Sequence, residues 1–354
     1  MQQVDYKTVT AMLGNGSSMR GVLRCFAEKG AKIFVLYDQK NANHRERYFL
    51  VKYEELTIPL RAYRLNFISS LNSLLAQTIT TDKGKTWVVA KAYDLPVPET
   101  EKFVSYDFAD SFLRRFHSVV VKPAKGSHGN GITVGIEDKG VLKQAVSEAQ
   151  RLCPDVLIQQ HIKGEDYRLL FVDYTFVAAV RRSPAEIVGD GTHTIHELVS
   201  SSNEERRKQW YAVRDGSLDG DKIVGSMSIT PLVEIERARG KAFLGMVPAL
   251  GETVKLLDKA NVSLGGQTED VTDIVNTDLC KRIEKLLRSI DLPLCGVDIM
   301  STDIASSPSE GKSFLIELNA APGLRLHESP TVGTQRPVCG LVADALIRKY
   351  RAVQ

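Results

Sequence analysis

Cysteine is scarce in this sequence, and its few copies are far apart. No two of them have the CxxC spacing of a redox or zinc site, and an odd number cannot all pair within one chain. This pattern is typical of reduced thiols, so we expect mostly buried, unreactive cysteines in an intracellular protein. The five residues are Cys25, Cys153, Cys280, Cys295 and Cys339.

Long apolar runs and an excess of one charge are also missing. The sequence nowhere reaches the ~18 consecutive apolar residues of a membrane-spanning helix, and the amino-terminal MQQVDYKTVT lacks the basic and apolar regions of a signal peptide. Its 46 Lys+Arg and 43 Asp+Glu residues give a net charge of +3 without a polybasic run, so neither nucleic-acid nor membrane binding is indicated. We therefore expect a cytoplasmic enzyme. Its 354 residues suffice for two or three subdomains.

Residues 8 to 38 predict a βαβ unit: TVTAML as a strand, MRGVLRCFAEKG as a helix and AKIFVLYD as a second strand. The GNG at 14–16 resembles the start of a dinucleotide-binding loop, and Asp38 stands where an acid would hold a ribose. However, Met19 replaces the third glycine of that motif. A structural βαβ scaffold is therefore the favoured interpretation, with nucleotide binding as the alternative.

From about Leu75 the sequence pattern changes to that of a helix with several lysines. TITTDKGKTWVVAKAYDL predicts a helix that ends at Pro96 and Pro98, and a small α+β unit follows up to about Pro154. Residues 200–245 are polar and lack apolar periodicity, so we interpret them as an insertion or flap. Three strand-like runs lie between these regions, at 156–162, 167–173 and 175–182.

The stretch VVVKPAKGSHGNGITVGI predicts two strands joined by a glycine-rich hairpin. A tight hairpin needs only one or two residues at positive φ, and Asn130 and Gly131 would satisfy this. Gly126 and Gly129 are therefore in excess of the folding requirement. Backbone without side chains lets N–H groups approach an anion, and Lys122 would add a positive charge. The stretch predicts a phosphate site, with a mobile surface hairpin as the alternative; it fits neither a Walker loop nor a dinucleotide fingerprint.

Two later strands carry acidic residues inside apolar sequence. CGVDIM contains Asp298, and FLIELNAAPG contains Glu317 and Asn319, which lie two apart and so face the same side of a strand. These oxygen ligands suit Mg²⁺ bridged to phosphates. The alternative is that each acid is paired with a basic residue or faces solvent. For Glu317 the apolar neighbours argue against this, because an unpaired buried carboxylate is costly.

Taken together, these stretches resemble the ATP-grasp superfamily, and within it the ligase region shared by cyanophycin synthetases and fused-type glutathione synthetases. The resemblance covers roughly residues 80 to 335. It implies an α/β (α+β) ATP-grasp fold with an N-terminal Rossmann-like pre-ATP-grasp domain. The expected divisions are 1–78 for that domain, 79–155 for a small subdomain with the glycine-rich lid, and 156–354 for a large subdomain with the metal and substrate site. The matching stretches are TTDK, VVVKPAKGSHGNGITVGI, VLIQQHIKGEDYRLL, VAAVRRSPAEIVGDGTHTIHELV, VKLLDKANVSLGGQTEDVTD, GVDIM and IELNAAPGLRLH.

The resemblance implies how a nucleotide is held. Lys122 and Lys83 would contact the ATP phosphates, although Lys85 is close enough to Lys83 to leave that choice open. Asp166 would hold the ribose hydroxyls. The lid over the triphosphate would comprise Gly126, Ser127, His128, Gly129 and Gly131. The hinge whose backbone reads the adenine edge would comprise Gln159, Gln160, His161 and Ile162, and Gln159 departs from the Glu that relatives often have there.

The remaining implied roles concern metal and substrate. Asp298, Glu317 and Asn319 would hold two Mg²⁺ ions, for which Mn²⁺ may substitute. Arg168, Arg181, Arg182 and Arg325 would line the substrate side. We favour Arg182 and Arg325, with Lys122, as the catalytic residues; adjacent arginines on a strand face opposite sides, so one of Arg181 and Arg182 is expected to be a surface residue. KLLDKANVSLGG, with Lys259, Asn261 and Ser263, would border the nucleotide, or else form an ordinary strand and turn. The histidines at 128, 193, 196 and 327 are expected to be mainly structural.

The implied activity is that of an ATP-dependent ligase. It would join the carboxylate of an amino acid or small peptide to an amine, usually that of another amino acid, through an acyl phosphate. The alternatives are a kinase-type ATP-grasp enzyme and a non-catalytic nucleotide-binding module. We expect a free-standing, single-reaction enzyme, because neither a Mur-type nor a glutamate–cysteine ligase domain is recognisable. The resemblance also makes a homo-oligomer an expectation.

Overall fold

The structure is a computed structural model, and it describes residues 2–13, 17–36, 46–63, 66–68, 70–126, 129–214, 230–258 and 260–353. The chain divides into two compact units, each built from separate segments. The first unit comprises 1–69, 177–272 and 323–354, and the second comprises 70–176 and 273–322.

The described residues form both strands and helices, often in runs of one kind. The strands are β1 (Gln2–Val4), β2 (Lys32–Val35), β3 (Glu46–Tyr53), β4 (Leu56–Tyr63), β5 (Asn66–Ile68), β6 (Thr100–Lys102), β7 (Val119–Pro123), β8 (Thr133–Ile136), β9 (Val156–Gln160), β10 (Glu165–Val172), β11 (Thr175–Ser183), β12 (Glu186–Val188), β13 (Thr253–Lys255), β14 (Gln267–Asp270), β15 (Leu294–Ser301) and β16 (Ser313–Asn319). The helices are α1 (Tyr6–Met12), α2 (Ser18–Glu28), α3 (Leu74–Thr80), α4 (Lys83–Ala92), α5 (Tyr106–Phe116), α6 (Lys139–Leu152), α7 (Ile195–Arg214), α8 (Leu232–Arg239), α9 (Lys241–Leu244), α10 (Thr277–Ser289), α11 (Arg325–Glu328) and α12 (Val338–Arg351). Within the described ranges, no helix combines the length and apolarity needed to span a bilayer.

The amino-terminal part of the first unit is an antiparallel sheet in the order β1-β2-β3-β4-β5. The parallel βαβ arrangement predicted for residues 8 to 38 is wrong, because TVTAML belongs to helix α1 and β1 pairs antiparallel to β2. The helix begins where Asp5 accepts a hydrogen bond from the Thr8 backbone N–H at 2.7 Å, and such a cap outweighs the β preference of the threonine- and valine-rich sequence. The GNG at 14–16 and Asp38 lie outside the described residues.

Helix α2 packs closely on α12 within the first unit. A Cβ atom added to Gly21 would lie 2.5 Å from Cys339 Sγ, closer than side chains approach one another. Met19 and Phe26 of the same helix are fully buried. Gly21 therefore sets the separation of the two helices.

The rest of the first unit pairs β11 with β14 and β12 with β13. The predicted insertion at 200–245 is helical where the structure describes it, in α7, α8 and α9; residues 215–229 lie outside the described residues. The Asn203 side chain and the Thr230 backbone exchange two hydrogen bonds of 2.8 Å. An apolar cluster also packs these helices on their neighbours; it includes Ala185, Ile195, Val199, Ile235, Leu244, Leu256 and Leu257. The described parts of this region are therefore packed structure rather than a flap.

The second unit contains a four-stranded sheet in the order β6-β9-β7-β8. Strands β7 and β8 form the predicted hairpin, which is confirmed. Alternate residues of β7 and β9 face helices α5 and α6; the core includes Val119, Val121, Val156, Ile158, Phe112, Leu142 and Val146. Because β9 lies between β6 and β7, this sheet extends past the subdomain boundary expected at residue 155.

The second unit also contains β10, β15 and β16, which pair antiparallel in that order. The Asn72 side chain fixes one end of this sheet. Its amide donates to the backbone carbonyls of Leu294 and Ala320 at 2.9 and 2.8 Å, and its oxygen accepts from the Leu294 N–H. The strands that carry the acidic residues are thereby held side by side.

Candidate functional site

Strands β10, β15 and β16 place polar side chains next to one another. Asp298 in β15 lies opposite Arg168 in β10 and opposite Glu317 in β16, and a register irregularity follows Asp298. Asn319 donates its Nδ2 hydrogen to Asp298 Oδ2 at 3.3 Å. The structure therefore brings together Asp298, Glu317 and Asn319, as the sequence pattern predicts.

Arg168 is the direct partner of Asp298. Its guanidinium binds both carboxylate oxygens, through Nε to Oδ1 and through a second N–H to Oδ2 at 2.9 Å. A Cβ added to Gly296 would lie 3.0 Å from Arg168 Cδ, so the glycine makes room for this side chain. For Asp298 the alternative of pairing with a basic residue therefore holds. Arg168, expected on the substrate side, instead supports the acidic group.

Lys83 links the glycine hairpin to the acids. It is the first residue of α4, where the Asp82 side chain caps the helix by accepting from the N–H groups of Gly84 and Lys85. The Lys83 Nζ donates to the Gly126 carbonyl at 2.9 Å and lies 3.9 Å from Glu317 Oε1. Lys83 is buried whereas Lys85 is exposed. This geometry favours Lys83 of the two candidates.

Lys122 is the second buried cation of the site. It is 4% exposed on β7, and its Nζ donates to Gln159 Oε1 at 2.9 Å. Burial lowers the pKa of Lys122 to about 8, with Lys83 acting in the same direction and Glu317 opposing it. Burial and the Asp298 carboxylate raise the pKa of Glu317, against the effect of the lysines. Lys122 therefore has a second cation, Lys83, close to it, and Glu317 has a second anion, Asp298. A ligand that brings anions to the lysines and cations to the carboxylates would reduce both repulsions.

The hairpin glycines are required by the backbone itself. Gly126, Gly129 and Gly131 have φ of 136°, 71° and 69°, and side chains are disfavoured at such angles. A Cβ on Gly131 would also lie 2.6 Å from Leu152. The prediction that Gly126 and Gly129 exceed the folding requirement is wrong, because the loop turns through left-handed conformations at each of them. Ser127 and His128 lie outside the described residues.

The predicted hinge continues β9. The backbone N–H groups of Gln160 and His161 donate to the carbonyls of Glu99 and Ser118, and His161 Nδ1 lies 2.9 Å from Ser118 Oγ. Burial, together with the charge of Lys163, lowers the pKa of His161. Ile162 is half-buried. The N–H groups of Gln160 and His161 are thus already used inside the protein.

Asp166 lies further along the chain, on β10. It is half-buried and two residues before Arg168, so both face the same side of the strand. This is the side that carries the acidic group.

Other predicted residues lie in the first unit. Arg182 in β11 is opposite Thr268, and its neighbour Arg181 is paired with Glu269. Arg325 begins α11, and burial, reinforced by the charge of Arg20, lowers its pKa to about 10.

The KLLDKANVSLGG stretch also belongs to the first unit. It forms a 3-10 helix at Val262–Leu264 rather than a strand. The Asn261 carbonyl accepts from the N–H groups of Leu264 and Gly266. Lys259 lies outside the described residues.

No protein-family model matches the chain, but individual proteins do. Cyanophycin synthetase of Trichormus variabilis is 31% identical over 277 residues, which are 77% of this chain and 30% of that protein. The glutathione biosynthesis bifunctional protein GshAB of Clostridium perfringens is 27% identical over 286 residues, 78% of this chain and 35% of that protein. The crystal structure of a bifunctional glutathione synthetase from Pasteurella multocida matches with a TM-score of 0.61 and 24% identity, over 94% of this chain and 44% of that chain. The chain belongs to the ATP-grasp superfamily.

The ATP-grasp assignment confirms the family and the α+β ATP-grasp fold predicted from the sequence. The Rossmann-like form expected for the amino-terminal domain is wrong, because the described strands β1 to β5 pair antiparallel. The chain spans about a third of the length of these relatives. Sequence reasoning missed two contacts in the candidate site: the pairing of Arg168 with Asp298, and the hydrogen bond from Lys122 to Gln159. Both join residues on neighbouring strands. The apolar alternation around them signals the strands, but not which strands are adjacent.

Proposed function

We propose that this chain is an ATP-dependent carboxylate–amine ligase. It would join an amino acid or small peptide to an amine, usually another amino acid, through an acyl phosphate, and release ADP and phosphate. The observation that carries the proposal is the position of Lys83, whose Nζ binds the Gly126 carbonyl in the hairpin and lies 3.9 Å from Glu317. One buried cation thus contacts both the phosphate-binding loop and the acidic group, as transfer of a phosphoryl group requires.

The nucleotide would lie on the second unit. Lys83 and Lys122 would bind its phosphates under the hairpin, and closure of the hairpin would exclude water. The hinge at 159–162 would contact the adenine, and Asp166 the ribose. The bond from Lys122 to Gln159 supports this arrangement, because the glutamine holds the ammonium group without neutralising it. Lys259 and Asn261, which belong to the first unit, are further candidate nucleotide-binding residues.

The acidic group fits magnesium. Asp298 and Glu317 supply carboxylate oxygens, and Asn319 directs its Nδ2 toward Asp298, which leaves its Oδ1 as an acceptor for a cation. Such hard oxygen ligands suit Mg²⁺, with Mn²⁺ as a substitute. Among the described residues, no group of three or more His, Cys, Asp or Glu side chains offers another metal site. When bound, two such ions would neutralise the charge of the transferring phosphoryl group.

The chain's own residues would act by binding and orientation. A carboxylate is a poor electrophile, and an acyl phosphate formed from it must be protected from water until the amine attacks. The two lysines stabilise charge rather than form a covalent bond. Cys280 and Cys295 are unsuited to nucleophilic catalysis, since burial raises the pKa of each thiol to about 12 and only the thiolate is reactive.

The acid substrate would be bound by the first unit. Arg182 and Arg325 are its candidate guanidinium groups, which can bind carboxylates in bidentate fashion. We further propose the divisions 1–78, 79–155 and 156–354 as functional domains. Strand β9 follows residue 155 but completes the sheet of the 79–155 domain. Small amino acids or peptides in the cytoplasm would be the partners, and a homo-oligomer the assembly.

A phosphate-release screen tests the proposal. Amino acids and dipeptides are supplied in pairs with ATP and Mg²⁺, and the products are identified by mass spectrometry. We expect ADP and an amide only when a carboxylate and an amine are both present. ADP together with a phosphorylated product, formed without an amine, would replace the ligase with a kinase. Glu317→Gln serves as the inactive control, checked for retained folding by circular dichroism.

A further inference from the structure

A cavity of about 490 Å³ lies in the second unit, lined by the end of α3, by α4, by β6 and by the start of β9. Its volume is in the range of small-molecule sites, roughly 300–1,000 Å³. Lys83 and Lys122 are not among its lining residues, and neither are the hinge residues 160–162. The cavity is therefore a second place where this unit can hold a small ligand.

The walls of the cavity are mainly apolar. Ile79, Trp87, Val88 and Leu157 contribute to them, and Val88 is 58% exposed. The Trp87 ring is held in place, because its indole N–H donates to the Pro98 carbonyl at 2.8 Å and Lys91 Nζ lies 4.7 Å from its centroid. A ligand therefore meets a fixed apolar surface, which lowers the ordering cost of binding.

Charges of both signs surround these walls. Lys102 is paired with Asp155, and Asp82 caps α4. The two remaining charged side chains are those of Lys85 and Glu101, and within the described ranges neither side chain forms a hydrogen bond or an ion pair. One cation and one anion thus remain available beside an apolar cavity. This combination is complementary to a small zwitterion with an apolar side chain.

The cavity is also connected to both phosphate-site lysines. Thr100, in its wall, accepts a hydrogen bond from Gln159 Nε2 at 2.7 Å, and Gln159 in turn accepts from Lys122. On the other side, Asp82 precedes Lys83, and the Lys83 N–H donates to the carbonyl of Ala124, another wall residue. A ligand that shifts these walls would shift the two lysines.

We propose that this cavity is an effector site for an apolar amino acid or its dipeptide, whose binding changes the affinity of the chain for nucleotide. The carboxylate of the ligand would face Lys85, its ammonium group Glu101, and its side chain Trp87 and Leu157. The effect on nucleotide rests on the proposed nucleotide site. Binding in the cavity does not, so the two are measured separately.

Binding is measured by the fluorescence of Trp87 in a Trp210→Phe background, which leaves one tryptophan. L-Leucine and leucyl-leucine are titrated without nucleotide, and N-acetyl-leucine amide is the uncharged comparison. We expect a saturable change with the zwitterions alone. Lys85→Ala and Glu101→Ala should each weaken binding about two- to fivefold, as loss of an exposed ion pair does. Lys143→Ala and Glu148→Ala, exposed on α6, are the matched controls and should bind as the parent does.

The proposed substrate site provides the decisive comparison. If Arg325→Ala abolishes leucine binding while Lys85→Ala and Glu101→Ala preserve it, the ligand occupies the substrate site and the proposal fails. It fails equally if no zwitterion changes the Trp87 emission. Binding retained in Arg325→Ala and weakened in the cavity variants supports it.

The effect of the cavity ligand on nucleotide affinity is tested with a non-hydrolysable ATP analogue and Mg²⁺. Saturating leucine should change the analogue's Kd by at least about fivefold, a common size for coupling between sites. The Lys85→Ala/Glu101→Ala double variant should lose this change. An unchanged Kd in the parent chain overturns the effector role. Failure of the analogue to bind at all, with or without leucine, would instead overturn the proposed nucleotide site.

Discussion

At the scale of single residues, the candidate site is dominated by the balance of charges. Two buried lysines face two carboxylates, and Arg168 neutralises only one of them. Burial shifts the pKa of Lys122 and that of Glu317 in opposite directions, each toward the neutral form. The like charges in this site therefore repel one another. In the proposed function, a nucleotide bound with metal ions would relieve this repulsion, and we expect the two ligands to bind more tightly together than alone.

Lys83→Ala tests the most connected residue of this site. The substitution removes the hydrogen bond to the Gly126 carbonyl and the charge next to Glu317. We expect turnover to fall by about 10²-fold, as when one preorganised donor is lost, without a change in fold by circular dichroism. Lys143→Ala, an exposed lysine on α6, is the control. Equal rates of ADP formation in the two variants would remove Lys83 from the phosphate site.

Asp270 gives a residue-scale prediction for acid stability. Burial favours its neutral form, but hydrogen bonds from Arg336 and Thr272 outweigh this and lower its pKa below the ordinary value. Its contribution to stability is therefore complete above the unfolded pKa of about 3.9 and is lost as the pH falls through the folded pKa. We expect Asp270→Asn to lower the free energy of unfolding by about 1.5–3 kcal/mol near pH 7, as loss of a charge-assisted hydrogen bond does.

Unfolding measured at several pH values distinguishes loss of the Asp270–Arg336 ion pair from a general loss of packing. Denaturant unfolding of Asp270→Asn should approach that of the parent chain as the pH falls below 4, roughly the unfolded pKa. A double-mutant cycle with Arg336→Gln isolates the pair. A deficit that is the same at every pH would contradict the assignment.

At the scale of elements, some features could be predicted from the sequence and others could not. The strands at 119–136 and the acidic strands are visible because apolar runs are bounded by turn residues. Helix α1 was missed because one cap, Asp5, decides it against the local propensity. The positive φ angles of Gly126 and Gly129 were missed because a sequence shows which residues permit a conformation, not which conformation the loop takes. Helices α7 to α9 carry little apolar periodicity and are held by contacts distant in sequence, such as Asn203 with Thr230.

The contact of α2 with α12 provides a prediction at this scale. Gly21→Ala would place a Cβ 2.5 Å from Cys339 Sγ, so the helices must separate. We expect a loss of about 1–3 kcal/mol in the free energy of unfolding, typical of overpacking. Gly340→Ala in α12 is a matched control, because a Cβ there meets nothing within 4 Å and alanine favours a helix by up to about 1 kcal/mol.

A second variant makes the cause explicit. Adding Cys339→Ala to Gly21→Ala removes the clashing sulfur, so the double variant should recover much of the loss. If Gly21→Ala is as stable as Gly340→Ala in urea unfolding, the close approach of the helices is not a constraint.

At the scale of the whole molecule, the candidate residues are divided between the two units. The lysines, the hinge and the acidic group belong to the second unit, whereas Arg182 and Arg325 belong to the first. Each unit is built from segments that are separated in the sequence. Short motifs can therefore be predicted from the sequence more readily than domain boundaries can. Nucleotide binding and recognition of the acid substrate are therefore expected to be separable by mutation.

Arg325→Ala and Glu317→Gln test whether nucleotide binding and recognition of the acid substrate can be separated by mutation. Arg325→Ala should raise the KM for the acid substrate about 10- to 100-fold, the loss expected for a charge-assisted hydrogen bond, while the Kd for a non-hydrolysable ATP analogue with Mg²⁺ stays within about twofold. Glu317→Gln should instead weaken the analogue, because it removes a candidate metal ligand. Isothermal titration calorimetry gives the nucleotide affinity and a phosphate-release assay gives the KM. If Arg325→Ala weakened binding of the analogue as much as Glu317→Gln does, Arg325 would contribute to nucleotide binding and the proposed assignment of this arginine to the acid substrate would be wrong.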